Sequence, residues 1–151
     1  MCRRSAKKSG GQEAQALGRS RGGFSTKIHI AVDALGNPLR LLLTAGQRHD
    51  SPQAARLIEN FEPLALIADK GYDSDELIES VMACGIEAVI PPKKSRLVQR
   101  EYDVHLYRER HLIECFINKI KHYRRVFSRF DKLSKNYLGF LSFVSALVWL
   151  R

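Results

Sequence analysis

Leu64-Ala65-Leu66-Ile67-Ala68 is a short, unbroken apolar run that stops at Asp69. It is too short for a stable helix and lacks the alternation of a half-exposed strand. Such a run suits a strand buried on both faces, as in a parallel sheet. A second short run, Ile86 to Ile90, ends at Pro91-Pro92. Between the two lies a helical stretch, with Asp73 and Glu76 at capping-box spacing. Two short strands separated by a helix set the chain in the mixed α/β class.

The flanking segments extend this reading. From Phe24 to Asp33, Ile28, Ile30 and Val32 alternate with His29 and Ala31, which predicts a strand. Leu35-Gly36-Asn37-Pro38 is turn chemistry, and Leu39 to Ala45 is a second β-like run, so the two form an antiparallel hairpin. His49-Asp50-Ser51-Pro52 opens a helix, with Ser51 as N-cap and Pro52 at the first helical position. Ala54, Ala55, Leu57, Ile58 and Phe61 give it an apolar face. The last third is read as two helices, Tyr107 to Val126 and Ser134 to Leu150. The predicted order is β, β, α, β, α, β, α, α. Residues 1–23, basic and glycine-rich, read as a flexible arm, and 24–151 as one folded domain.

A chain of 151 residues supports one core. Its 25 Lys and Arg against 16 Asp and Glu give a net charge of +9, which favours an anionic partner, nucleic acid first, over a merely basic enzyme. Cys2, Cys84 and Cys115 make neither a disulfide framework nor a zinc pair, so a reducing cytoplasm is expected. No apolar segment follows the basic N-terminus, and Tyr137 to Leu150 is short for a bilayer span, so no membrane is expected.

In a parallel sheet, sites form beyond the carboxyl ends of the strands. Asp69 ends the most buried strand, and Gly71 in Lys70-Gly71-Tyr72 allows close approach of a ligand. A turn or capping aspartate is the other reading. At about 100° per residue, Tyr107, Arg110, Glu114, Asn118 and Lys121 share one stripe of the long helix. Leu112, Ile113, Phe116, Ile117 and Ile120 lie on the opposite side. A polar stripe opposite a core is usually a solvated face. Here, however, it sets a carboxylate beside cations, the combination that phosphoryl transfer requires.

Tyr107-x2-Arg110-x3-Glu114-x6-Lys121 resembles the Y-x2-R-x3-E-x6-K signature of the DDE transposases of bacterial insertion sequences. Ala68-Asp69-Lys70-Gly71-Tyr72-Asp73 looks like that family's segment around its second aspartate. Gly18 to Gly23, Thr26-Lys27-Ile28-His29 and Gly46-Gln47-Arg48-His49-Asp50 resemble segments of the family-five group, within the IS4/IS5-like superfamily. The resemblance implies the C-terminal part of such an enzyme, with a ribonuclease-H-like fold. It implies metal-dependent strand cleavage and transfer at insertion-sequence ends, with two Mg²⁺ (or Mn²⁺) ions held by an Asp-Asp-Glu set. Asp69 matches the second aspartate and Glu114 the glutamate. Tyr107, Arg110 and Lys121 match positions that contact DNA. Lys93, Lys94 and Arg96, with Arg19 and Arg21, are further candidates for phosphate contact. The implied partners are double-stranded DNA (terminal inverted repeats and target) and a second copy in a synaptic complex, at the bacterial nucleoid.

One element of that pattern is missing. The first aspartate belongs on a central strand upstream of Gly18, yet residues 1–17 hold no aspartate and no apolar run. Asp33 ends a strand antiparallel to the one carrying Asp69, at the wrong edge. Asp50 falls on the right edge, with helix capping as its expected role. The fold is therefore expected to lack its first, central strand. The chain then reads as a second-frame product joined to an upstream one, or as a truncated, non-catalytic copy that binds DNA or dimerises and inhibits the full enzyme.

Overall fold

Alternation on one strand and a tight turn build the first sheet. The structure, a computed structural model, describes residues 11–20 and 23–150. Strands β2 (Gly23–Val32) and β3 (Pro38–Ala45) pair antiparallel, with Thr26 opposite Ala45 and Ile30 opposite Leu41. Asp33 closes their turn: its Oδ1 accepts the Leu35 and Asn37 amides, both at 2.8 Å, and Gly36 takes a φ of +80°. Pro38 opens β3, a position where a missing N–H is tolerated. Ile28, Ile30 and Val32 face one side with Leu41 and Leu43. Lys27, His29 and Thr44 take the other side by strand alternation.

The stretch read as a flexible arm contains structure. Gln12–Gln15 form a turn of 3-10 helix, and strand β1 (Gly18–Ser20) pairs with β2, Arg19 opposite Phe24. Ala16 is buried, and its carbonyl accepts the Thr26 hydroxyl at 2.7 Å. Arg129, from the far end of the chain, reaches the same hydroxyl at 2.5 Å. These tertiary partners hold a stretch whose own sequence has no periodicity. Arg21, with residues 1–10, lies outside the described residues.

The expected parallel pair is present. Strands β4 (Ala65–Ile67) and β5 (Glu87–Val89) run parallel, Ala65 opposite Glu87, connected through helix α2 (Asp75–Ala83). All three β4 residues are only half-buried, because β5 is the strand's sole hydrogen-bonded neighbour among the described residues. Nor does backbone pairing join this sheet to β1–β2–β3 among those residues. Helix α1 (Ser51–Ile58) starts at Ser51, so Asp50, not Ser51, occupies the N-cap position. Helix α2 has Ser74 at its N-cap position. The capping box read at Asp73 and Glu76 does not form, because Asp73 turns inward to other partners. Ala54, Leu77, Ile78, Val81, Ile86 and Ile90 form the core between α1, α2 and this sheet.

The long helix is broken. Helix α3 (Val104–Tyr107) passes through a 3-10 turn (Arg108–Arg110) into α4 (His111–Lys121). Right-handed helical dihedrals at Tyr107, Arg110 and His111 carry the stripe across that junction. Tyr123 is extended, at φ −83° and ψ 109°, and separates α4 from the short α5 (Arg124–Phe127). The bend turns Val126 into the second core with Phe116, Ile120, Tyr137, Leu141 and Val144. Tyr137 of helix α6 (Ser134–Trp149) donates its hydroxyl to the Val126 carbonyl at 2.9 Å. Among the described residues no helix is long and apolar enough to cross a membrane.

Candidate active site

Strand β4 delivers Asp69. The Ala68 amide still bonds the Val89 carbonyl of β5, after which the chain leaves the sheet in a 3-10 turn, Lys70–Tyr72. Asp69 caps that turn: its Oδ1 accepts the Gly71 amide at 2.8 Å, and its carbonyl accepts the Tyr72 amide at 3.0 Å. The turn role and the site role are therefore compatible. Asp69 is exposed, and its Oδ2 makes no hydrogen bond among the described residues. A Cβ on Gly71 would lie 2.8 Å from Asp69 Oδ1 and 3.0 Å from Asp50 Oδ2. Two carboxylates thus close on this glycine.

Asp50 does not cap α1, as the sequence had suggested it would: its side chain makes no capping hydrogen bond. Instead its Oδ1 pairs with Lys27 Nζ at 2.9 Å. Behind this pair stands His29, 2% exposed, with Nε2 at 2.8 Å from the Thr44 hydroxyl and Nδ1 at 3.1 Å from the Tyr72 hydroxyl. Burial holds the imidazole below its ordinary 6.5, against the pull of Asp50 and with help from Lys27. Burial first, and the Asp50 and Asp69 charges after it, push the Tyr72 phenol up. Both groups are therefore neutral near pH 7.

Glu114 stands on the exposed side of α4, one turn beyond Arg110. Arg110 Nη2 donates to Glu114 Oε1 at 2.5 Å, and the guanidinium lies 5.8 Å from the centre of the Tyr107 ring. The hydrogen bond to Glu114 raises the Arg110 pKa, and the charge of Asp69 acts in the same direction. One cation thus senses both acids, which lie 45 positions apart in the sequence. The helical period made the Tyr107–Arg110–Glu114 grouping legible; the approach of Asp69 to it is a product of the fold.

The other basic candidates lie elsewhere. The Lys93 amide donates to Asp73 Oδ2 at 2.8 Å, and its Nζ to the Asp73 carbonyl at 3.0 Å. Arg96 bonds Asp73 at 2.6 Å and Asp75 at 2.9 Å, and Arg100 grips the same two acids. Lys93 and Arg96 therefore brace a buried carboxylate. Lys94, Lys121 and Arg19 are exposed. Sequence reading missed the roles of Asp73 and Arg100. Their only signal was two acids and two arginines at short spacings, with nothing to say that they face each other.

Asp69 and Glu114 are exposed carboxylates, hard-oxygen donors of the kind a divalent cation takes. Among the described residues, no group of three His, Cys, Asp or Glu side chains is placed to hold a metal.

Residues 3–149 match a family model described as "Transposase DDE domain". The chain is 40% identical over 132 residues to a Brucella ovis protein named "Putative transposase for insertion sequence element IS6501", a match covering 85% of this chain and 100% of that protein. It is 29% identical over 135 residues to a Burkholderia cepacia protein named "Putative transposase for insertion sequence element IS402", covering 82% of this chain and 62% of that one. No solved structure matches.

Proposed function

Because the chain belongs to the transposase DDE domain family, we propose that it is the C-terminal catalytic part of an insertion-sequence transposase of the family-five group. In this reading it cleaves DNA strands at the ends of the element and joins them to target DNA. The observation that carries the reading is the grouping of Tyr107, Arg110 and Glu114, with Arg110 bonded to Glu114 and set beside the Tyr107 ring. Divalent metals, which the family uses in general, would activate the attacking oxygen and stabilise the leaving oxygen of an in-line displacement. Asp69 and Glu114 would be two of their ligands. Arg110 meets the scissile phosphate, oriented by Glu114 and the Tyr107 ring, and helps neutralise charge on the transferring group. Lys121, Lys94, Arg19 and Arg21 contact the DNA backbone.

Three further proposals complete this reading. The third carboxylate comes from an aspartate-bearing central strand supplied by an upstream reading-frame product, inserted between β2 and β4. The substrates are duplex inverted repeats and target DNA, synapsed by two copies. The metal is Mg²⁺ or Mn²⁺. The absence of a three-residue metal group among the described residues favours a second reading, a non-catalytic fragment that binds DNA or dimerises.

The catalytic reading, and the second in its DNA-binding form, require duplex binding through phosphates. Affinity should fall linearly on a log–log plot against salt, with a slope near 0.9 for each phosphate neutralised. Lys121→Ala should lower that slope by about one and weaken all sequences alike. Titration of labelled duplex by fluorescence anisotropy at several salt concentrations measures both. A salt-independent affinity, or none at low ionic strength, would rule out the catalytic reading and leave the second only its dimerising form.

A further inference from the structure

The two sheets share no backbone hydrogen bond among the described residues, yet Asp69 belongs to one and Glu114 is carried by the other. Glu114 is fixed to the hairpin sheet because Phe116 and Ile120 of its helix pack with Ile28, Ile30 and Val32 of β2. Something must set the position of the Asp69 turn against that unit. On the opposite face of β2 a continuous chain of side chains crosses the gap. Thr44 on β3 bonds His29 on β2 at 2.8 Å, and His29 bonds the hydroxyl of Tyr72 at 3.1 Å. Tyr72 is the last residue of the 3-10 turn that begins after Asp69, and its amide bonds the Asp69 carbonyl at 3.0 Å.

We propose that Thr44, His29 and Tyr72 are positioning residues, which hold the Asp69 carboxylate in register with Glu114 by tying the turn after β4 to the hairpin sheet. The proposal rests on the transposase reading for the purpose of this register, but the tie itself does not depend on that reading. The chemistry suits a fixed strut. A neutral imidazole has one donor and one acceptor nitrogen, and each faces a hydroxyl able to take the complementary role. Either tautomer satisfies both bonds. The ring is 2% exposed, so water offers little competition. The nearby Asp50 carboxylate, 3.8 Å from Nδ1, is already engaged by Lys27 and leaves the imidazole to Tyr72. A partner acting through a ligand's support in this way typically costs tenfold or more in metal affinity when removed.

Tyr72→Phe tests this with the ring packing kept and only the hydroxyl removed. Three quantities are compared in the full chain: the thermal midpoint, amide exchange at Gly71 and Tyr72, and Mn²⁺ affinity by electron paramagnetic resonance titration. The expected result is a nearly unchanged midpoint, faster exchange confined to the Asp69 turn, and Mn²⁺ binding weakened about tenfold. Thr44→Val, remote from Asp69, should shift exchange in the same direction. His29→Gln, which keeps a donor and an acceptor, should shift it less than His29→Leu. Unchanged exchange at Gly71 and Tyr72 in a folded Tyr72→Phe chain would overturn the proposal. If exchange accelerates but Mn²⁺ affinity is the same in the wild type, Tyr72→Phe and Asp69→Asn, the tie stands and the reading of Asp69 as a metal ligand fails.

Discussion

Incubated alone with Mg²⁺ or Mn²⁺, the purified chain should leave labelled inverted-repeat DNA uncut, whereas a fusion supplying an aspartate-bearing strand upstream should cut it. The reason lies in the donor set. Phosphoryl transfer across two ions depends on carboxylates that hold both ions in place. On the proposed assignment this chain offers Asp69 and Glu114, and among the described residues no group of three such side chains is placed to hold a metal. Positioning accounts for much of such catalysis, so an ill-held ion costs more than one weak contact. The half-buried β4 points the same way, since its side away from β5 has no backbone partner among the described residues. Within the active fusion, Asp69→Asn or Glu114→Gln should slow cleavage by on the order of 10²–10³ or more, the cost of losing one electrostatic stabiliser. Gel-resolved single-turnover cleavage checks each arm. Cutting by the isolated chain that Glu114→Ala abolishes would contradict the expectation. It would also make Asp50, whose Oδ2 closes on Gly71 beside Asp69, the next acid to substitute.

Asp73→Ala should destabilise the fold by about 3 kcal/mol, the lower end of the cost of breaking a buried ion pair. The Asp73 side chain is wholly buried, and it accepts hydrogen bonds from the Lys93 amide, Arg96 and Arg100. Removing it strands these donors, beside an Arg100 Nε that is already buried without a partner among the described residues. The lower end applies because both arginines keep contact with water and with Asp75. A loss of that size is a large share of the stability of an ordinary domain. The same site predicts a pH dependence. Burial alone would push the Asp73 carboxyl up, but hydrogen bonds from Arg96 and the Lys93 amide, with the charges of Arg96 and Arg100, hold it below its ordinary 3.8. Its pKa is therefore lower in the folded chain than in the unfolded one. The stabilisation is complete above the ordinary carboxylate range and is lost as pH falls through the folded value. Urea midpoints should decline as the wild type is acidified below about pH 4, and decline less in Asp73→Asn. A loss under about 1 kcal/mol for Asp73→Ala would show that the remaining pairs with Asp75 suffice.

Local pattern placed most elements close to where they lie. The alternation at Ile28, Ile30 and Val32 gave β2, and the short runs ending at Asp69 and before Pro91 gave the parallel pair. The capping box at Asp73 failed because a residue with helix-capping chemistry found stronger partners 20 and 23 positions away. The single long helix failed at Tyr123, where no proline or glycine marks the break. There the core gains Val126 and the Val126 carbonyl gains the Tyr137 hydroxyl.

By itself, the sequence determined what depends on near neighbours. Asp69 ends a buried-type strand, and Tyr107, Arg110 and Glu114 share a helical stripe, because strand and helix periods are set within a few residues. Only the tertiary structure decided that the charge of Asp69 reaches Arg110, and that Asp50 pairs with Lys27 rather than capping its helix. It also decided that His29 reaches Tyr72 across two sheets. The two pairings join residues 23 and 43 positions apart. A charge or hydroxyl carries no period that names its partner, and the partner is fixed only when the packing of Phe116 and Ile120 on β2, and of α1 and α2 beside β5, brings those surfaces together.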